Sequence, residues 1–362
     1  MKQSNNGKIK KIAVAMSGGV DSSVAAFLLK KQGYDVFGIF AKFWMEKQGE
    51  QVRENICCSK EARDDAKRVC DMLEIPFYTA NLKPLFKEKI VDNFLLEYNE
   101  GRTPNPCVRC NQYIKFGKLL EKVEKLGASH LATGHYAQIK KKGDQFKLYK
   151  GKDKEKDQSY FLYQLNQDQL SKILFPVGHL TKSKVRKIAA KNNLATASKK
   201  ESQEVCFVPD GDLQNFLAQY LDLKPGEIKD IDSKEVLGKH KGLAMYTIGQ
   251  RKGIGLAGGP YFVVQLDKEN NVLFVTKNQD HEKLKMHELV LHKIHWVNGT
   301  QNLAFPIMAT AKVRYASPET PVMISKKDDK YLIKFKKPQW AVTPGQSIVF
   351  WKGKEVLGGG VI

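Results

Sequence analysis

The run Lys11-Ile12-Ala13-Val14-Ala15-Met16-Ser17-Gly18-Gly19-Val20-Asp21-Ser22-Ser23 carries an apolar, β-rich segment into a glycine turn and out into a helical pattern. Val24, Ala25, Phe27 and Leu28 continue on one predicted helix face, and Gly33 reads as the C-cap. A strand feeding a helix through such a turn aims backbone N–H groups and the positive helix end at one spot, which suits a phosphate or pyrophosphate. The stretch lacks the Gly-Lys-Ser/Thr of a Walker A loop, so ordinary γ-phosphate transfer is disfavoured. Asp21 is available to orient Mg²⁺. For Ser-Gly-Gly alone, a glycine turn with a capping serine is the competing structural reading.

Outward from this turn, residues 35–43 read as a second strand. Ser59 reads as the cap of a helix with Ala62, Ala66, Val69, Cys70 and Leu73 at helical spacing. A strand at 76–82, helices at about 84–98 and 113–126, and a strand at 130–133 complete an alternation that predicts an α/β parallel sheet covered by helices on both faces. Residues 101–111 hold Pro104 and Pro106 and are expected to form a loop. The charge run 140–156 reads as a solvated hairpin or loop. Beyond about residue 210 short strands broken by Gly and Pro suggest β-barrel-like modules. The expected organisation is a nucleotide-binding domain over 1–208, a small β-rich central domain over 209–283 and a C-terminal β-barrel over 284–362.

The length of 362 residues, with 42% hydrophobic and 10% aromatic residues, argues for several folded cores and against disorder. A net charge of +21 draws polyanions, with nucleic acid the leading candidate and a merely solubilising surface the alternative. The apolar run 12–16 is too short for a signal segment, and no apolar run approaches the roughly 18 residues of a spanning helix. A soluble, cytoplasmic protein with no membrane partner is expected.

Six cysteines without an export signal point to reduced thiols, metal binding or catalysis. Cys107 and Cys110 form a C-x-x-C with Arg109 between them, and Cys206 follows Lys199 and Lys200; nearby cations favour the reactive thiolate. Half of a zinc knuckle is the alternative for the pair, with no second C-x-x-C to complete it. Cys70 falls on an apolar helix face, and Cys57 and Cys58 read as non-catalytic thiols.

Ser17 to Ser23 resembles the signature of the ATP pyrophosphatase (PP-loop) superfamily, whose members cleave ATP between the α- and β-phosphates to adenylate an oxygen. Further segments narrow this. Residues 102–111 with Ile114-Lys115-Phe116, Ala132-Thr133-Gly134-His135-Tyr136, Lys156-Asp157-Gln158-Ser159, Phe175-Pro176-Val177-Gly178, Thr247-Ile248-Gly249-Gln250-Arg251-Lys252-Gly253, Lys312-Val313-Arg314-Tyr315 and Ala341-Val342-Thr343-Pro344-Gly345-Gln346 are similar to the tRNA-specific 2-thiouridylases.

The resemblance implies a first domain of the adenine nucleotide α-hydrolase type and an ATP- and Mg²⁺-dependent tRNA-uridine 2-sulfurtransferase. It implies nucleotide contacts at Ala15, Met16, Ser17, Gly18, Gly19, Val20, Asp21, Ser22, Ala41 and Gly134, where the family often has Met in place of Ala41. The target base would meet Asn105, Pro106 and Cys107. tRNA would meet His135, Lys156, Asp157, Gln158, Arg314, Tyr315 and Gln346. Cys206 would carry a persulfide that Cys110 resolves, the two pairing as a disulfide in one state. Many family members have Asp where Cys107 stands, so Cys107, Cys110 and Cys206 could instead hold a [4Fe-4S] cluster or zinc. The implied partners are tRNAs for Lys, Glu and Gln and a sulfur donor, a cysteine desulfurase or a sulfur relay protein. A small-molecule ATP pyrophosphatase and a noncatalytic RNA-binding protein are the competing readings.

Overall fold

The structure, a computed structural model, describes residues 10–44, 46–48, 51–53, 59–199, 205–299 and 303–362. Cys57, Cys58 and residues 201–204 ahead of Cys206 lie outside the described residues.

Ile12, Ala13 and Val14 are wholly buried in strand β1 (Lys11–Ala15), as an uninterrupted apolar run demands of a strand covered on both faces. β1 pairs in parallel with β2 (Asp35–Lys42) on one side and with His130–Ala132 on the other. Phe77–Asn81 extends the sheet beyond β2, and Ile173–Leu174 beyond His130–Ala132. The chain therefore moves outward from β1 in one direction, returns, and continues in the other. The topological switch falls between the carboxyl ends of β1 and His130–Ala132, where open parallel sheets leave a crevice.

Helix α1 (Val20–Lys31) buries Val24, Ala25, Ala26 and Leu29, while Phe27 and Leu28 are only half-buried. The predicted apolar face is rotated because α1 packs under the helix Lys182–Lys191 as well as on the sheet.

The segment 101–111 departs from the predicted loop. A helix starts at Pro106–Arg109 and runs without a break through the wider π-turns of Cys110–Leu119 into Leu120–Lys125. Proline at the first helical position sacrifices an N–H that has no partner within the helix, and Asn105 Oδ1 accepts the N–H of Val108 as the cap. The two prolines thus end an extended entry and begin a helix. Cys107 and Cys110 ride on its first turns.

Val236–His240, Gly226–Asp230, Val272–Thr276 and Phe262–Asp267 form a four-stranded sheet in that order, with Ile228, Val263, Leu273 and Val275 in its core. A nine-stranded sheet follows, built mostly from residues 285–361 around Ile324, Ile333, Ile348 and Phe350. The charge run 140–156 contributes to it: Ala137–Lys142 and Gln145–Lys150 form a hairpin whose second strand pairs with Glu355–Val361. Lys147 meets Glu355 at 2.8 Å across this junction. Among the described residues no helix is long and apolar enough to cross a membrane.

Candidate nucleotide and cysteine site

The turn between β1 and α1 is held open by its own hydroxyls. Ser22 Oγ and Ser23 Oγ donate to Gly19 O at 3.0 and 2.9 Å, and Ser17 N donates to Ser22 Oγ at 3.3 Å. No side chain caps the start of α1, which leaves its first N–H groups facing the turn. Gly18 has φ +70°, and a Cβ there would lie 2.2 Å from Ala62 O. Gly134 lies so close to the first turn of α1 that a Cβ would sit 2.7 Å from Ser22 N. Both glycines let backbones converge where the sheet switches direction.

A cavity of about 220 Å³ opens at this crevice, lined by Ala15, Met16, Ser17, Asp21, Ser22 and Ala41. Lys115, Thr133, Gly134, His135 and Gln158 also line it. Residues implied for the nucleotide and two implied for tRNA therefore share one space.

Asp21 sits at its edge, with both carboxylate oxygens 2.8 Å from Lys182 Nζ and Oδ1 accepting from the Tyr136 hydroxyl at 2.7 Å. Lys182 is buried at the first position of its helix, and its ammonium lies 5.7 Å from the centre of the Tyr136 ring. Asp21 is the one carboxylate among the described residues lining the cavity, and carboxylate oxygen is the donor type Mg²⁺ takes. Lys182 was absent from the sequence-based candidates. It is one lysine in a basic helix, and nothing local distinguishes it until the fold brings residue 182 to residue 21.

His135 is 8% exposed, shares a hydrogen bond with Thr133 Oγ1 at 2.7 Å and lies between the rings of Phe116 and Phe175. Burial, with the Lys115 charge behind it, pulls its pKa well below 6.5 and keeps the ring neutral.

Gln158 Oε1 accepts Tyr136 N at 3.0 Å, while Gln158 N donates to Tyr136 O at 2.9 Å. Asp157 shapes the turn before it by accepting from Gly151 N, Ser159 N and Ser159 Oγ; its burial raises the pKa against those hydrogen bonds. The half-buried Lys156 belongs to the same turn, its N–H directed to Asp153 Oδ1.

Cys107 is exposed, Cys110 is buried and Cys206 is half-buried against the main core. None of the three lines the 220 Å³ cavity. Among the described residues no group of three or more His, Cys, Asp or Glu side chains is arranged to hold a metal ion. The three thiols in this conformation do not fit the donor set of a cluster or a zinc site. Arg109 donates to Lys89 O at 3.1 Å and stacks over Tyr113. Cys70 is the inert thiol its helix face implied, pushed up to about 12 chiefly by burial.

Of the residues implied for tRNA, Gln346 holds the entry to the cysteine helix and Arg314 ties the segments around Ile248 and Ala341 together. Gln346 Nε2 donates to Thr103 O at 2.9 Å and Pro104 O at 3.2 Å, and Thr103 Oγ1 meets Thr247 Oγ1 at 2.9 Å. Arg314 Nη2 donates to the carbonyls of Ile248 and Ala341 and to Thr343 Oγ1, bridging the four-stranded and nine-stranded sheets. Burial lowers its pKa. Tyr315 remains 37% exposed, with its ring 4.5 Å from that of Phe161.

Residues 10–210 match the tRNA methyl transferase HUP domain family, residues 214–277 the tRNA methyl transferase PRC-barrel domain and residues 286–362 the aminomethyltransferase β-barrel domain. The chain is 48% identical to tRNA-specific 2-thiouridylase MnmA 1 of Caldanaerobacter subterraneus subsp. tengcongensis, across 97% of each chain. It is 47% identical to the tRNA-specific 2-thiouridylase MnmA of Alkaliphilus oremlandii, over 98% of this chain and 97% of the relative. The Listeria monocytogenes protein of the same name is also 47% identical, over 99% of this chain and 95% of its own length.

Proposed function

The chain belongs to the tRNA-specific 2-thiouridylase family, and from that premise we propose that it adenylates the wobble uridine of tRNA and then exchanges its 2-oxygen for sulfur. The observation that carries this reading is the shared cavity, lined both by the turn residues Ser17, Asp21 and Ser22 and by His135 and Gln158.

Uracil's 2-oxygen is a poor leaving group. Its attack on the α-phosphorus of ATP forms an O2-adenylate and releases pyrophosphate, which the N–H groups around Gly18 and Gly19 receive. Asp21 would hold Mg²⁺, which would supply charge neutralisation on the phosphates. Lys182 adds a fixed positive charge beside the same carboxylate.

In the second half-reaction the terminal sulfur of a Cys206 persulfide attacks C2, the C2–O bond breaks and AMP leaves with the oxygen. Cys110 thiolate then attacks Cys206 Sγ, forming a Cys110–Cys206 disulfide while the transferred sulfur stays on C2 as the thione. Two electrons from a dithiol reductant reset the pair. No step is assigned to a metal cluster or zinc, because the three thiols do not converge on a metal-sized centre. Asn105, Pro106 and Cys107 receive the base, and Lys156, Asp157 and Tyr315 support the tRNA around it. The remaining elements of the proposal are tRNAs for Lys, Glu and Gln as substrates, a cysteine desulfurase or relay protein as donor, and domain boundaries at 208 and 283.

The test is pyrophosphate release with and without tRNA, paired with mass-spectrometric detection of 2-thiouridine. Cys206→Ser and Cys110→Ser are expected to release tRNA-dependent pyrophosphate without forming product. Absence of tRNA-dependent release by the unaltered protein sinks the adenylation step. Activity strictly proportional to bound iron in anaerobically purified protein sinks the persulfide route.

A further inference from the structure

A groove of about 660 Å³ runs between α1 and the helix Lys182–Lys191, away from the cavity just described. Lys184, Lys187, Ile188 and Lys191 fall at positions i, i+3, i+4 and i+7 and so share one helix face. Phe27, Leu28 and Lys31 of α1 form the facing wall. Four exposed lysines surround a half-buried apolar floor, and no acidic residue lines the groove.

The same helix holds the arm that leads to Cys206. Arg186 donates to Ala197 O at 3.2 Å and to Lys199 O at 3.3 Å, and Lys199 is itself pinned to Asp65. The helix packs on α1, whereas the cysteine helix packs against Lys87–Val91 and Ser159–Leu162. The groove therefore lies on the helix that anchors residues 197–199, the arm that leads toward Cys206.

Resting on the reading above, we infer that this groove docks the sulfur-donor protein through an acidic segment with apolar residues at helical spacing. Lysines around an apolar floor complement such a segment in charge, and the floor gives it a place to bury side chains. Docking there precedes transfer of the donor's outer persulfide sulfur to the Cys206 thiolate. The donor's S–S bond breaks as the new one forms, and the donor leaves as a thiolate, so no outside electrons are needed.

The test uses the full chain with Lys184→Glu, Lys187→Glu and Lys191→Glu combined, and a parallel Lys→Gln triple variant guards against misfolding. Expressed in place of the native copy in cells, the Glu variant is expected to lower the 2-thiouridine content of bulk tRNA by about tenfold, and the Gln variant by less. Purified, both should keep tRNA affinity, tRNA-dependent pyrophosphate release and thiolation driven by sodium sulfide within about twofold of the unaltered protein. Unchanged 2-thiouridine in cells overturns the inference. So does weakened tRNA binding by the purified variants, which marks the groove as an RNA surface. If the unaltered protein releases no tRNA-dependent pyrophosphate, it is the adenylation reading that fails.

Discussion

At the scale of single residues, the contact between Asp21 and Lys182 sets the electrostatics of the cavity. An ammonium 2.8 Å from both carboxylate oxygens keeps the half-buried carboxylate at the cavity edge compensated. Asp21→Asn is expected to cut tRNA-dependent pyrophosphate release by about 10²-fold. Lys182→Met should cut it by about tenfold or more, with Lys182→Arg recovering part of the loss, because the charge matters more than the shape. Equal rates in the Met variant and the unaltered protein would remove Lys182 from the site. His135 gives a pH signature. The unfolded chain takes up a proton near the ordinary histidine pKa that the buried ring refuses, so this contribution to stability is intact above pH 6.5 and falls as pH drops through it. Its slope is at most about 1.4 kcal/mol per pH unit. Melting temperatures from about pH 7.5 to about pH 5.5 should fall more steeply in the unaltered protein than in His135→Asn.

At the scale of elements, the strand-to-helix turn was legible because its signals are local: glycines, hydroxyls and a strand-to-helix change all lie within a few residues of one another. The parallel sheet was legible from strand and helix periodicity for the same reason. The cysteine helix was misread because two prolines argue against regular structure when counted together. Only the cap geometry shows that Pro104 precedes the helix and Pro106 begins it. Its support was beyond sequence reasoning altogether, since Gln346 reaches back 242 residues to Pro104. Gln346→Ala removes both side-chain hydrogen bonds to the 103–104 segment, each worth about 1 kcal/mol. The expected outcome is faster amide exchange at 103–106 and slower 2-thiouridine formation, with ATP affinity preserved. A variant that keeps native exchange rates there would show that tRNA contact, and not support of the segment, is the role of Gln346.

At the scale of the molecule, the +21 charge and the division of labour between Lys156 and Arg314 can be tested together. Counterion release makes affinity for a polyanion fall with salt in proportion to the phosphates neutralised, so tRNA binding should weaken by about 10²-fold or more between about 50 mM and about 200 mM salt. ATP binding in the cavity, which engages far fewer phosphates than tRNA does, should change far less over the same range. Sequence places Lys156 and Arg314 alike, as cations in segments that resemble tRNA contacts, but their surroundings differ. Lys156 stands half-buried on the turn that leads to Gln158, whereas Arg314 spends one guanidinium nitrogen on Ile248, Ala341 and Thr343 between two sheets. Lys156→Ala should therefore lower tRNA affinity and shrink the salt slope by about one unit. Arg314→Ala deletes charge-assisted hydrogen bonds worth about 1.5–3 kcal/mol each to Ile248, Ala341 and Thr343, so its main effect should be a lower melting temperature. Filter binding across the salt series and a thermal melt of each variant read both effects on the same samples. An Arg314→Ala protein with unaltered melting and a reduced salt slope would reverse the assignment and make Arg314 a phosphate contact.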